Sequence, residues 1–96
     1  MNLSEIKNKI SPILERNDIE SAGVFGSYAR GEATSDSDID ILVRLRSPKS
    51  LLDVIGLEME LSDVLRRKVD LVTEGGMCSH IKKDALKDLQ PIYGGR

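Results

Sequence analysis

The chain has 96 residues, of which 40% are hydrophobic and 31% are charged, and its formal net charge is −2. This length suits one domain, residues 1–96, with a modest core and no room for a second lobe. The small net charge provides no field that would recruit nucleic acid or an anionic membrane, and no segment reaches transmembrane length. The lone cysteine, Cys78, excludes an intramolecular disulfide and suits a reducing, cytoplasmic compartment.

The hydrophobic pattern predicts alternating helices and strands along the chain. The predicted elements are a helix over 3–17, a strand over 21–26, a helical turn over 27–30, a strand over 38–45, a helix over 50–68, a strand over 69–73, a helix over about 78–89, and a final strand or frayed end over 90–96. This order is typical of an α/β (α+β) fold with a small mixed β-sheet and helices packed on one face.

Particular residues predict how the early elements begin and end. Pro12 either kinks the first helix or starts a second one that Ser11 caps. Ser27 is placed to cap the helical turn, and Gly31 is placed to end it.

The helix predicted over 50–68 has a wide apolar side. That side consists of Leu51, Leu52, Ile55, Met59 and the apolar residues within 61–65. The basic run Arg66-Arg67-Lys68 at the end of this helix either complements the helix dipole or docks a partner.

Two aspartates lie on one side of the strand predicted over 38–45. Asp38 and Asp40 are two residues apart and therefore project to the same side, whereas Ile39 and Ile41 project into the core. Burying two unpaired carboxylates would cost on the order of several kcal/mol each, so this side must be open or must hold cations. Carboxylate oxygens that converge on one point suit Mg²⁺.

A third aspartate, Asp70, interrupts the apolar strand predicted over 69–73. If this strand neighbours the strand at 38–45, Asp70 faces Asp38 or Asp40. Three carboxylates around one point can hold two metal ions about 3.5–4 Å apart, the arrangement that activates an attacking oxygen and stabilises a leaving oxygen in phosphoryl transfer.

Gly26 and Ser27 follow a predicted strand and open a helical turn. Unpaired N–H groups and the positive end of a helix dipole favour a phosphate at such a position. Gly26 allows close backbone approach, and the Ser27 hydroxyl adds a donor. An anion site beside a divalent-metal site is what a nucleoside triphosphate requires.

Other phosphate and metal motifs are absent from the sequence. The chain contains neither G-x-x-x-x-G-K-[ST] nor G-x-G-x-x-G. A calcium-binding loop that starts at Asp36 would need glycine where Ile41 stands and glutamate where Ser47 stands.

The stretch FGSYARGEATSDSDIDILV, residues 25–43, resembles the minimal nucleotidyltransferases (MNT proteins) of the polymerase-β-like nucleotidyltransferase superfamily. The similarity consists of Gly26-Ser27, ten intervening residues, and Asp38-x-Asp40 followed by a hydrophobic tail. It extends through the long helix to the third aspartate in RRKVDLVT, and no motif position departs from the pattern.

This resemblance implies Mg²⁺-dependent transfer of a nucleoside monophosphate from a triphosphate, with ATP as the expected substrate, to an acceptor hydroxyl. Asp38, Asp40 and Asp70 would be the catalytic residues and would hold two Mg²⁺ ions in the active complex. Gly26 and Ser27 would hold the β- and γ-phosphates.

The resemblance also implies a protein partner. Minimal members are commonly encoded beside a helical HEPN protein, and such pairs resemble toxin–antitoxin systems in which the antitoxin adenylylates a tyrosine of the toxin. A non-catalytic antitoxin that only binds and blocks its partner is the alternative, and self-association as a homo-oligomer stays open. Net charge −2 and only three aromatic residues argue against a nucleic-acid-binding module.

Four other residues have alternative interpretations. Arg30 either contacts the triphosphate as a nucleotide-binding residue or pairs with Glu32 or Asp36. Asp36 is interpreted as a turn residue rather than a metal ligand, and Tyr28 as a packing residue rather than a base-stacking one. His80 is interpreted as a surface residue.

Overall fold

The structure is a computed structural model that describes residues 2–34, 36–74 and 86–94. Its elements in chain order are α1 Leu3–Arg16, β1 Ile19–Phe25, α2 Ser27–Arg30, β2 Ile39–Leu45, α3 Leu51–Leu65, β3 Val69–Thr73 and β4 Gln90–Gly94. Of the helix predicted over 78–89, residues 86–88 are helical and residue 89 is not, whereas residues 78–85, which include Cys78 and His80, lie outside the described residues.

The four strands form one mixed sheet in the order β3-β2-β1-β4. β1 runs antiparallel to both of its neighbours, β2 and β4. β2 and β3 run parallel, because α3 carries the chain back between them. The predicted mixed sheet is therefore confirmed, and the last predicted segment pairs with β1 as an edge strand.

α1 and α3 cover one face of the sheet and enclose the hydrophobic core, as predicted. The largest fully buried side chains come from both helices and from three strands: Ile6, Ile10, Leu14, Ile19, Val24, Ile39, Ile41, Val43, Leu61, Leu65 and Val69. On the opposite face, the Leu89 side chain occupies the space where a Cβ at Gly23 would lie. A side chain at Gly23 would therefore have to displace Leu89.

α1 is a single helix with Pro12 in its interior. The side chain of Asn2 caps the helix by accepting a hydrogen bond from the Glu5 N–H at 2.8 Å. Ser11 does not cap a second helix, because its hydroxyl donates to the Lys7 carbonyl one turn earlier at 2.6 Å. The alternative of a second helix starting at Pro12 is therefore wrong.

α3 is shorter than the helix predicted over 50–68. The apolar stripe that it packs against the core is narrower than its whole apolar side. Ser50 and Asp53 form a capping box at its start, and Arg66 ends it in the left-handed conformation with φ 55°. The basic run therefore lies beyond the helix. Neither α3 nor any other described helix is long and apolar enough to span a membrane.

Only part of the wide apolar side of α3 packs against the core. The helix buries Leu57, Leu61 and Leu65, one stripe of its circumference, against the sheet. A helix that lies on a sheet contacts it along only one such stripe. The remaining large apolar residues therefore face outward; they are Leu51, Leu52, Ile55 and Met59.

Leu61 and Leu52 allow a matched test of this packing. Leu61 is fully buried, whereas Leu52 on the same helix is 79% exposed. We expect Leu61→Ala to lower the free energy of unfolding by about 2–5 kcal/mol, because it removes buried methyl groups and leaves a cavity. Leu52→Ala should change it by less than about 0.5 kcal/mol. Urea unfolding followed by circular dichroism at low protein concentration measures both, and equal losses would contradict the orientation of α3.

Candidate active site

The register between β2 and β3 places two of the three predicted catalytic aspartates side by side. The strands run parallel from the pair Ile39–Val69, and the next pair is Asp40–Asp70. Asp38 immediately precedes β2, at the end where both strands begin. The prediction that the third aspartate lies on the neighbouring strand is confirmed.

The two faces of β2 differ as the alternation predicts. Ile39 and Ile41 are fully buried on the core face. Asp38 and Asp40 are half-buried, and Asp70 is exposed. We call the surface formed by Asp38, Asp40 and Asp70 the Asp face.

Gly26 brings the backbone after β1 into close contact with Asp40. Its φ of 75° lies in the left-handed region, and a Cβ there would overlap the Asp40 Oδ2 atom. Phe25 pairs with Asp40 across β1 and β2, so the turn begins directly beside the carboxylate. Glycine is the residue that meets both requirements without strain.

α2 spans the predicted residues, Ser27–Arg30, but its capping residue differs from the predicted one. Gly26 is its N-cap and Ser27 is already helical, because the positive φ of Gly26 turns the chain before Ser27. The capping role predicted for Ser27 is therefore wrong, whereas Gly31 ends the turn in the left-handed conformation as predicted. The Arg30 N–H donates the first backbone hydrogen bond, to the Gly26 carbonyl at 3.1 Å. The amides of residues 27–29 therefore have no carbonyl to bond within the helix.

Arg30 braces this turn through two ion pairs. Its Nε atom lies 2.8 Å from Glu32 Oε1, and its Nη1 atom lies 3.1 Å from Asp88 Oδ2. The interpretation of Arg30 as a partner of Glu32 is confirmed, and its contact with a triphosphate stays a prediction. Asp36 is exposed and donates its N–H to Thr34 Oγ1 at 3.3 Å, as a turn residue does.

Beyond Asp40, the same face of the sheet becomes apolar. Leu42 is buried, and a cavity of about 200 Å³ lies above it, lined in part by Leu89 and Tyr93. Tyr28 is partly buried and packs against the hydrophobic core, as interpreted. The carboxylates therefore stand at the border between the polar turn and an apolar cleft.

Asp40 lies in a partly dehydrated and negatively charged environment. Burial raises the pKa of its carboxyl group, and the charges of Asp70 and Asp38 raise this pKa further. The Arg30 guanidinium acts in the opposite direction and lowers the pKa, but the net shift is upward. The surroundings of Asp40 therefore favour a cation.

The donor set of the Asp face fits a hard divalent cation. Asp38, Asp40 and Asp70 offer oxygen ligands, which Mg²⁺ prefers, and a cation would relieve the repulsion that raises the pKa of Asp40. Among residues 2–34, 36–74 and 86–94, no three His, Cys, Asp or Glu side chains converge closely enough to form a ready metal cluster. The carboxylates lie beside one another along the sheet and would have to rotate toward a shared ion.

A backbone hydrogen bond fixes the start of the Asp face. The Ile39 N–H donates to the Lys68 carbonyl at 2.9 Å and so ties the start of β2 to the segment before β3. The Lys68 Nζ atom also lies 4.0 Å from Asp38 Oδ2. This ion pair is solvent-exposed and contributes little to stability.

A family model and a relative show which family the chain belongs to. The model described as the nucleotidyltransferase domain matches residues 6–92. A Methanocaldococcus jannaschii protein, provisionally named protein adenylyltransferase MJ0435, is 46% identical over 88 residues, which are 92% of this chain and 95% of that protein. The chain belongs to the minimal nucleotidyltransferase family. The resemblance of residues 25–43 is thereby confirmed, and the chain is a nucleotidyltransferase.

Solved structures share the fold of this family member. A chain of a toxin–antitoxin complex crystallised with AMP-PNP matches with a TM-score of 0.84 at 26% identity, covering 94% of this chain and 74% of that chain. A chain from a complex of a tri-AMPylated Shewanella oneidensis HEPN toxin with its MNT antitoxin matches with a TM-score of 0.78 at 23% identity, covering 97% and 73%. These likenesses confirm the predicted nucleotidyltransferase fold.

Two residues of α3 hold β3 in place, although nothing in the sequence of this nucleotidyltransferase indicated such a role. The Val69 N–H donates to Ser62 Oγ at 3.1 Å, and the Leu71 N–H donates to Glu58 Oε2 at 2.9 Å. These amides flank Asp70 on the strand edge away from β2. The helix thus satisfies an edge that no other described strand pairs, and it fixes the position of Asp70.

Asp40→Asn is expected to stabilise the metal-free nucleotidyltransferase at neutral pH. Because the folded-state pKa of Asp40 is raised, the folded protein binds this proton more tightly than the unfolded chain, whose aspartate pKa is about 3.9. Ionised Asp40 therefore opposes folding above its folded-state pKa, and the penalty fades as the pH falls between the two values.

The measurement is the melting temperature of wild type and Asp40→Asn in EDTA between neutral pH and about pH 4. We expect the variant to melt higher at pH 7 and the difference to shrink toward pH 4. Asp36→Asn, in the exposed loop, is the control and should leave the melting temperature unchanged. A lower melting temperature for Asp40→Asn at pH 7 would contradict the electrostatic account of the Asp face.

Proposed function

We propose that this chain is an Mg²⁺-dependent protein adenylyltransferase that moves AMP from ATP onto a hydroxyl of a HEPN-type partner, as the antitoxin of a toxin–antitoxin pair. The observation that carries the proposal is the Asp40–Asp70 pair directly beside the Gly26 turn. A carboxylate cluster and an anion-binding turn within one site match the two halves of a metal–triphosphate complex. The proposal treats residues 1–96 as one domain acting in the cytoplasm.

The proposed roles of the residues follow from their positions. Asp38, Asp40 and Asp70 would hold Mg²⁺, which when bound neutralises phosphate charge and lowers the pKa of an acceptor hydroxyl. The backbone at Gly26 and the Ser27 hydroxyl would bind the β- and γ-phosphates. In the transfer, the acceptor oxygen bonds to the α-phosphorus, and the bond to the β-phosphate breaks to release pyrophosphate.

Arg30 has a supporting place in this proposal. Its pairs with Glu32 and Asp88 keep a guanidinium beside Asp40, where its charge reaches the carboxylate. A triphosphate that enters the turn would compete with Glu32 and Asp88 for this cation. We therefore expect Arg30 to orient the turn and to add affinity for the nucleotide.

The comparisons support a protein as the acceptor. The Methanocaldococcus jannaschii relative has the name of a protein adenylyltransferase. One structural neighbour is a toxin–antitoxin complex with an ATP analogue, and another contains an AMPylated HEPN toxin. The exposed position of Asp70 at the edge of the sheet leaves room for a partner to present its hydroxyl there.

Asp70→Asn separates nucleotide binding from transfer. The change removes a charge at nearly constant volume, so the packing of Val69 should persist. We expect transfer to fall by several orders of magnitude, because the activation and positioning of the acceptor are lost. ATP affinity should change by less than about tenfold, because the Gly26 turn is intact. Ser27→Ala should weaken ATP binding more than it slows the transfer step.

Calorimetry in the presence of Mg²⁺ measures ATP binding, and intact-protein mass spectrometry of the HEPN partner measures transfer. Asp36→Asn, an exposed change in the loop before β2, should retain both ATP binding and transfer. If Asp70→Asn transfers AMP at the wild-type rate, Asp70 is not a metal ligand. Tight partner binding without any transfer, in wild type as in the variant, would instead support the non-catalytic antitoxin.

Transfer should also depend on the partner. The chain incubated alone with ATP and Mg²⁺ should turn over slowly or not at all, and the HEPN partner encoded beside it should gain one or more adenylyl groups when added. EDTA should abolish the mass increase, because the three carboxylates cannot position the triphosphate without a cation. Rapid modification of unrelated proteins would contradict a partner-presented acceptor.

A further inference from the structure

We propose that the outer face of α3 is a self-association surface through which two copies of the chain pair with their α3 helices antiparallel. The outer face is the stripe formed by Leu51, Leu52, Ile55, Gly56 and Met59. The exposed fractions of its large residues are 75% for Leu51, 79% for Leu52, 42% for Ile55 and 66% for Met59. Together they expose on the order of 500 Å² of apolar surface, the size of the largest apolar patch on a typical monomer, which is often functional.

The outer face is not needed by the core. Leu57, Leu61 and Leu65 lie on the opposite side of α3 and pack against the sheet. The helix could therefore carry polar residues at the outer positions without loss of packing. Apolar residues at these positions are explained by a second surface that covers them.

Gly56 points to the same conclusion independently. Glycine is less favourable than alanine in the interior of a helix. A Cβ at Gly56 would meet no described residue within 4 Å, so neither packing nor backbone conformation in the described part of the chain requires a glycine there. The missing side chain leaves a gap on the surface that allows a neighbouring helix to approach closely.

The arrangement of the stripe identifies the occupant as a second copy. A two-fold symmetric interface requires one patch to be complementary to itself. About a centre between Ile55 and Gly56, an antiparallel copy places each Ile55 against the gap at the other Gly56. The same operation places Leu52 against Met59. Spacings of three, four and seven residues are those of helices that pack along a shared seam.

Charges at the two ends of α3 favour the same orientation. Lys49 precedes the helix and Asp63 lies in its last turn, so the two charges lie on opposite sides of the centre between Ile55 and Gly56. Neither forms an ion pair with another residue in the described part of the chain. An antiparallel copy brings each Lys49 near the other Asp63, whereas a parallel copy brings like charges together.

The area of the outer face limits the affinity of the proposed dimer. Two copies would bury on the order of 1,000 Å², the lower limit for a specific interface. We therefore expect a weak, reversible dimer. Sedimentation equilibrium from about 5 to 500 μM covers the concentrations at which such a dimer dissociates.

The test compares wild type with variants of exposed residues, whose folding is checked by circular dichroism. Wild type should shift from monomer to dimer with concentration. Leu52→Lys should weaken the dimer at least about tenfold. Lys9→Glu, a charge change on the exposed side of α1, is the control and should not. Gly56→Ala should raise the melting temperature of the monomer and yet weaken the dimer, because the added methyl group fills the gap.

A charge exchange tests the orientation. Lys49→Asp and Asp63→Lys should each weaken the dimer, and the double variant should restore it. A monomer at every concentration, or a dimer insensitive to Leu52→Lys, would overturn the proposal. A chain that is monomeric alone, and that loses its HEPN partner in Leu52→Lys, would overturn it in favour of a different occupant. Failure of the double variant to restore the dimer would overturn the antiparallel arrangement.

Discussion

The parallel ladder between β2 and β3 sets Asp40 beside Asp70, and this juxtaposition of like charges is the constraint around which the site is organised. Like charges on adjacent strands repel, so the ladder must be held by other contacts. The same two strands bury Ile39 and Val69 completely on the opposite face. A slip by one residue would expose these side chains and bury the carboxylates. The core therefore enforces a register that electrostatics alone would disfavour.

α3 completes this constraint from the outer edge of the sheet. Ser62 and Glu58 accept the two N–H groups that flank Asp70, so β3 is fixed on both of its edges. The connection that makes β2 and β3 parallel is thus also the element that secures the exposed strand. Gly26 acts in a similar way on Asp40, because the turn packs directly against the carboxylate. The three aspartates and the Gly26 turn are thereby held close to each other.

The sequence was sufficient for the features that depend on local periodicity. Alternation along β2 predicted which side Asp40 faces, whereas the sequence left open whether the strand of Asp70 lies beside β2, and the structure shows that it does. The Gly26-Ser27 spacing located the turn, although the capping role belongs to Gly26 and not to Ser27. Such one-residue differences arise because the φ of a single residue decides where a helix begins.

Features that depend on contacts between distant segments could not be predicted in this way. Glu58 has the pattern of a solvated helix residue, and its bond to β3 appears only when the helix is placed on the sheet. Asp88 reaches Arg30 from a segment 58 residues further along the chain. α3 is apolar over more than half of its circumference, so periodicity could not show which stripe faces the core.

The rotation of α3 has a consequence for how the domain can be approached. The buried stripe of α3 packs on the core face of the sheet, and the three aspartates lie on the other face of the sheet. The outer face of α3 and the aspartates are therefore on opposite sides of the domain. A pair of chains joined through α3 would leave Asp40 and Asp70 of both copies open to a partner. Self-association and transfer therefore do not compete for surface, and each copy can keep an accessible acceptor position while its exposed leucines are covered.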